Sequence, residues 1–219
     1  MTTPVTALIC ALLCGGAAAA LTRWMRRLVE SDSRWLRSGL HILLSAAGGV
    51  GATALATNWA ELVAFAALAV ACGLLIAIDL AVFRLPDAIV GPLYPVLFAG
   101  LAVSAWLTDD WAGLGRAAAA AVALLAFYFI LALINPSGLG LGDVKLSGAL
   151  GAFLGWLGWP AVLAGTLAAF ALNAVVALVL LASRRVTAKS GIAFGPAMIL
   201  GAVLGAAPAR HVSPVPGDA

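Results

Sequence analysis

The chain reads as a succession of apolar blocks, each closed by a short cluster of charge, proline or glycine. A helix crosses about 30 Å of hydrocarbon with about 20 apolar residues, so blocks of that size predict membrane-spanning helices. Eight can be drawn, at 4–22, 39–57, 60–80, 88–107, 113–134, 144–158, 160–182 and 193–208. The predicted fold is an all-α polytopic membrane protein with about eight transmembrane helices, in which 1–208 form one transmembrane domain and 209–219 a disordered tail. The sixth block is short for a crossing, and its Gly148, Gly151 and Gly155 suggest close helix packing more than lipid contact. The first block has no positive segment ahead of it and is followed by Arg23, Arg26 and Arg27, which argues for a retained helix over a cleaved signal.

Composition agrees with this pattern and removes the soluble alternatives. Of 219 residues 64% are hydrophobic and 10% charged, where soluble domains have about 45–50% and about 25%. Twelve Lys+Arg against nine Asp+Glu leave a charge of +3, but these cations interrupt apolar runs without gathering on one face, so no nucleic-acid partner is expected. Their distribution speaks for orientation. With the N-terminus outside, ten cations (Arg23, Arg26, Arg27, Arg34, Arg37, Arg84, Lys145, Arg184, Arg185 and Lys189) fall inside and two, Arg116 and Arg210, outside. Trp59, Trp106, Trp111, Trp156 and Trp159 then mark outer span ends as interfacial anchors. The inner segment 23–38 mixes five arginines with Trp24, Met25, Leu28, Trp35 and Leu36, and reads either as an amphipathic helix lying on the lipid surface or as a charged connection. Cys10, Cys14 and Cys72 lie inside apolar runs without paired spacing, which argues against a metal site.

Carboxylates carry the candidate chemistry, because an ionised side chain in hydrocarbon costs several kcal/mol and needs a reason. Glu30, Asp32, Asp109, Asp110 and Asp218 fall in loops or the tail, and Glu61 is expected at the outer interface. Asp79, Asp87 and Asp143 remain. Asp79 ends an apolar run that can stay helical only until Pro86 disfavours helix at Leu85. Asp143 follows Gly138, Gly140 and Gly142, whose backbone can approach a neighbour closely and adopt positive φ. As an aspartate at a helix start it also reads as a plain cap. In the alternating topology Asp79 and Asp143 share the inner side and a similar depth. Two carboxylates brought together at low dielectric cannot both ionise cheaply and share a proton, which is the requirement of an aspartic protease pair.

Ile78-Asp79-Leu80-Ala81-Val82-Phe83-Arg84-Leu85-Pro86-Asp87 and Gly140-Leu141-Gly142-Asp143-Val144-Lys145-Leu146 resemble the two signature stretches of the type IV prepilin peptidases, membrane aspartic peptidases of the GxGD class. Ile192-Ala193-Phe194-Gly195-Pro196 looks like that family's late FGP element, and the resemblance extends from about 60 to about 205. It implies that Asp79 and Asp143 are the catalytic pair, that Gly140 and Gly142 bring Asp143 to the peptide, and that Pro86, Asp87 and Lys145 shape the site. For Lys145, anchoring to lipid headgroups is the favoured reading. Asp87 reads equally as a turn or cap after Pro86. The implied activity is removal of the leader from prepilins or pseudopilins at the cytoplasmic face of the bacterial plasma membrane, with membrane lipid around the enzyme and no cofactor or metal required. Segment 23–38 lacks the paired cysteines that longer members associate with N-methylation, so the chain resembles a peptidase-only form. Leu80 to Phe83 are more apolar than the family's usual residues there.

Three other readings stand beside this one. A presenilin-like intramembrane protease shares the Gly140-Leu141-Gly142-Asp143 pattern, although residue 78 is Ile where tyrosine is expected. A proton-coupled transporter component would use membrane carboxylates as a relay, more typically spread through its depth. A structural subunit would use the aspartates as caps. Asn173, mid-span in the seventh block, is expected to donate an interhelical hydrogen bond.

Overall fold

Each apolar block becomes a helix, and no strand occurs among the described residues, 3–31, 33–135, 139–183 and 193–207 of a computed structural model. The helices are α1 (Pro4–Val29), α2 (Arg34–Arg37), α3 (Leu40–Leu55), α4 (Trp59–Val82), α5 (Asp87–Thr108), α6 (Trp111–Ile134), α7 (Leu141–Leu157), α8 (Trp159–Ala182) and α9 (Gly195–Ala206). Five of them, α1, α4, α5, α6 and α8, are long and apolar enough to cross a membrane, while α3 and α9 are shorter apolar helices. The protein is an all-α, polytopic integral membrane protein. The predicted tail 209–219 and the cations Arg184, Arg185, Lys189 and Arg210 lie outside the described residues.

Two boundaries differ from expectation for reasons of packing. The first helix does not stop at residue 22 but runs to Val29, capped by the Thr3 side chain at its start and by Glu30 in the left-handed region (φ 48°) at its end. At 1.5 Å per residue it is about 39 Å long, which carries Arg23, Arg26 and Arg27 past the hydrocarbon. Segment 23–38 is neither a surface-lying helix nor a loose connection. Met25 and, on the single turn α2, Leu36 are buried in the hydrophobic core, which leaves Arg23, Arg27, Arg34 and Arg37 exposed on the surface of the bundle. The sixth block begins at Leu141, ahead of the expected 144, and is buried nearly end to end.

α4 is the axis. It is apolar on all sides, as a central helix must be, and every residue from Ala71 to Asp79 is buried. It packs against α1, α3, α5 and α9, and Phe65 meets Phe153 of α7 edge-on at 5.1 Å. At the N-terminal end of α4, Glu61 is not interfacial: it is 3% exposed. Its carboxyl accepts the Thr57 amide at 2.7 Å, the Ser104 hydroxyl at 2.9 Å and the Trp156 indole N–H at 3.2 Å. The group is tolerated in the interior because its acceptor sites are filled. Trp156, expected as a lipid anchor, is spent on that network and is buried, while Trp59, Trp106, Trp111 and Trp159 are exposed.

α6 and α7 share the largest helix interface. Between helices in lipid the apolar driving force is weak, and close backbone approach through small residues replaces it. The expected glycines do this: a Cβ on Gly151 would lie 2.7 Å from the Ala120 carbonyl oxygen, and one on Gly155 2.9 Å from that of Arg116. The Arg116 guanidinium then donates to the carbonyls of Gly155 at 2.8 Å and Trp156 at 3.1 Å, two of the acceptors that the end of α7 leaves open.

Overpacking at such a contact costs about 1–3 kcal/mol. Gly155→Ala is therefore expected to lower the thermal midpoint of the detergent-solubilised protein. Gly16→Ala, with nothing within 4 Å of the added methyl, is expected to leave it unchanged or raise it.

Candidate active site

Asp79 sits on the last turn of α4, and the helix closes four residues later at Phe83, whose φ of 53° turns the chain and whose amide bonds the Asp79 carbonyl at 2.9 Å. Leu85 lies outside any helix ahead of Pro86, as the proline favours, and Pro86, itself extended, precedes α5 as its N-cap. Asp79 is 4% exposed, and its Oδ2 accepts the Gly195 amide N–H at 3.0 Å. Gly195 is the first residue of α9, so this amide is one of the donors that a helix start leaves without an intrahelical partner. A side chain is excluded at that point: a Cβ on Gly195 would lie 2.8 Å from Asp79 Oδ2.

Asp143 lies three residues into α7, and its Oδ2 accepts the Gly140 amide at 3.1 Å. The capping role is thus real. It uses one oxygen, however, and Oδ1 is buried with no hydrogen-bond partner among the described residues. Such an atom is costly and calls for an explanation beyond capping.

The end of α4 and the start of α7 meet through Leu85. A Cβ on Gly142 would lie 2.8 Å from Leu85 Cβ and 3.0 Å from its carbonyl oxygen, while one on Gly195 would lie 3.5 Å from Leu85 Cδ1. One buried leucine therefore touches both the Asp143 side and the Asp79 side. Positive φ plays no part in this: among the described residues the glycines that use it are Gly39 and Gly158, and Gly140 has φ of −79°. Gly138 lies outside the described residues.

The flanking candidates form an ion pair. Asp87 opens α5, and Lys145 Nζ lies 2.7 Å from its Oδ2, with the two side chains 70% and 49% exposed. The Lys145 ammonium is thus directed at Asp87 in place of lipid headgroups, and the Tyr94 hydroxyl donates to the Lys145 carbonyl at 2.5 Å. Exposed pairs of this kind contribute about 0.2–1 kcal/mol. Asn173, expected to donate an interhelical hydrogen bond, has its acceptor Oδ1 buried without a partner among the described residues. No three metal-ligating side chains come together among the described residues. Gly195 and Leu85 are the site residues that motif reasoning left without a role. Proline after Leu85 and glycine before Pro196 were visible, but their contact with each other was not.

The profile of the type IV leader peptidase family matches residues 63–182, more than half of the chain. The chain belongs to the type IV leader peptidase family. Two proteins named prepilin leader peptidase/N-methyltransferase, from Burkholderia pseudomallei strains 1026b and K96243, are each 36% identical over 163 residues, covering 71% of this chain and 50% of theirs. The chain spans half the length of these relatives. No solved structure matches it. Asp79, Asp87, Asp143 and Lys145 all lie within the stretch matched by the leader peptidase profile, and Gly195 lies beyond it.

Gly140 and Gly142 make a direct comparison within this candidate site. Gly142→Ala drives a methyl group into the Leu85 backbone and is expected to cost about 1–3 kcal/mol. Gly140→Ala meets nothing nearer than Asp143 Oδ2 at 3.3 Å and is expected to change the thermal midpoint far less.

Proposed function

We propose that this protein is a membrane aspartic endopeptidase that removes the leader from type IV prepilins or pseudopilins, with Asp79 and Asp143 as its catalytic pair. The observation that carries the reading is the half-satisfied pair itself. Each carboxyl is fixed by one backbone amide, from Gly195 and from Gly140, while Asp143 Oδ1 is buried and unengaged. A fixed carboxylate with an unused acceptor oxygen suits a water that donates to it, and the same carboxyl once protonated can donate to a peptide carbonyl, two roles that a helix cap does not need.

In this reading one carboxylate takes a proton from water as the water oxygen attacks the scissile carbonyl carbon, and the protonated partner hydrogen-bonds the carbonyl oxygen. Collapse of the tetrahedral intermediate breaks the C–N bond, and a proton passes to the departing amine. Asp87 and Lys145 tie α5 to α7 beside the pair without touching the reacting atoms. The family match and the relatives' name support a prepilin as substrate. The apolar helices around the site suit a substrate whose own apolar segment lies in the bilayer.

Orientation follows from charge. α1 and α4 both run antiparallel to α3, with Gly49 of α3 against Cys10 and Gly15 against Ile42 and Ala46, and with Gly48 against Ala69 and Gly73 against His41 and Ser45, so the arginine-bearing end of α1 lies at the Asp79 end of α4. Lys and Arg concentrate on the cytoplasmic side of membrane proteins, which supports a site at the cytoplasmic face of the plasma membrane with the N-terminus outside.

Co-expression with a tagged type IV prepilin tests the reading. Asp79→Asn and Asp143→Asn are each expected to reduce cleavage by at least about 100-fold at equal membrane abundance. Either variant cleaving at the wild-type rate overturns that assignment. For orientation, Ser183→Cys, exposed at the end of α8, is expected to react with an impermeant maleimide in inverted vesicles and not in intact spheroplasts. The reverse labelling refutes the cytoplasmic site.

A further inference from the structure

Phe83 closes α4 in a conformation that aromatic residues rarely adopt. Among the described residues, those other than glycine with positive φ are Glu30, Phe83 and Asp109, which end α1, α4 and α5. At such a cap glycine is usual and a polar residue is tolerated, whereas a bulky side chain is a steric outlier. Packing inside the bundle does not offset that cost, since Phe83 is 61% exposed. Its chain neighbours are charged: Arg84 is exposed, and Asp87, four residues on, pairs with Lys145 at the surface. The ring thus stands at the charged margin of the bundle. Anchoring there is the usual work of tryptophan and tyrosine, whose polar ends phenylalanine lacks.

A second apolar side chain is placed in the same way on the other half of the site. Leu141 is the first residue of α7, where proline or an acidic residue is favoured, and it is 64% exposed. It follows Gly140, whose amide holds Asp143, just as Phe83 is bonded through its own amide to the Asp79 carbonyl. Gly142, next to Leu141, packs on Leu85, which is two residues after Phe83. Three Cα steps of about 3.8 Å each and one close contact therefore separate Leu141 from Phe83. The carboxyls that the two side chains flank are withdrawn: Asp79 is 4% exposed, and Asp143 Oδ1 is buried.

We propose that Phe83 and Leu141 form an apolar subsite that takes a large apolar side chain of the substrate beside the scissile bond. The proposal rests on the peptidase reading and adds which feature of the substrate is read. Binding covers the two exposed side chains, and the apolar surface removed from water supplies affinity. Such a contact acts on substrate binding and leaves turnover alone. A side chain that only packs or meets lipid acts on stability instead.

The experiment uses the full chain in detergent with a purified tagged prepilin, comparing wild type, Phe83→Gly, Phe83→Leu, Leu141→Ser and Asp143→Asn. Phe83→Gly removes the ring at a position that glycine adopts freely. Its KM is expected to rise about ten-fold, the loss that goes with one large apolar side chain, with kcat within about two-fold and an unchanged thermal midpoint. Leu141→Ser is expected to raise KM about five-fold, and Phe83→Leu, still apolar, to keep it within about three-fold. A prepilin whose large apolar residues beside the scissile bond are replaced by serine is expected to show the same KM, within about two-fold, with wild type and Phe83→Gly. Wild-type KM in Phe83→Gly or Leu141→Ser overturns the assignment of that residue and leaves the peptidase reading intact. So does a lowered midpoint with unchanged KM, or a penalty that persists undiminished with the serine-substituted prepilin. Failure of the wild type to cleave, or full activity in Asp143→Asn, overturns the peptidase reading and the subsite together.

Discussion

A carboxyl group buried on an apolar helix has to find donors, and at the end of α4 the donor comes from 116 residues away, where the Gly195 amide meets Asp79 Oδ2. That hydrogen bond ties the start of α9 to the end of α4 and dictates much of what surrounds it. Residue 195 must be glycine, because a side chain would strike the carboxyl. Pro196 pre-sets the first turn of α9 while donating nothing itself. Leu85, at the turn after Asp79, then closes against Gly142 and so brings up Asp143.

The second half of the arrangement is held by contact rather than by hydrogen bonding. Apolar side chains gain little from meeting each other in a medium that is itself apolar, so α6 and α7 associate through backbone proximity at Gly151 and Gly155. Such contacts are intolerant of sliding. A shift along either helix would drive alanine side chains into main-chain atoms, so the interface fixes the height of α7, and with it the depth of Asp143.

α4 carries a buried acid at each end, and their surroundings differ in an informative way. Glu61 is enclosed by donors from Thr57, Ser104 and Trp156, which join α4, α5 and α7 and leave it nothing further to bind. Asp79 and Asp143 each receive one backbone amide, and Asp143 keeps a buried oxygen unengaged. A saturated carboxyl stabilises a bundle. An unsaturated one is maintained at a cost, and catalysis by the pair would account for that cost.

Much was already present in the sequence. The length of the apolar blocks determined the helices, because the bilayer admits few other backbone arrangements. Pro86 determined where α4 must stop, and Asp79, Asp143 and their flanking motifs marked the stretch that the leader peptidase profile matches. Helix ends were less legible: nothing local distinguishes Arg23 as loop from Arg23 as helix, and burial of Met25 decided it. Glu61 and Trp156 read as interfacial from their positions near span ends, although each is buried by the other. The partners of Asp79 and the register of α7 on α6 belong to the tertiary structure alone. Periodicity along one helix records which face is apolar, but in a chain apolar on nearly every face it carries no information about which neighbour that face will meet.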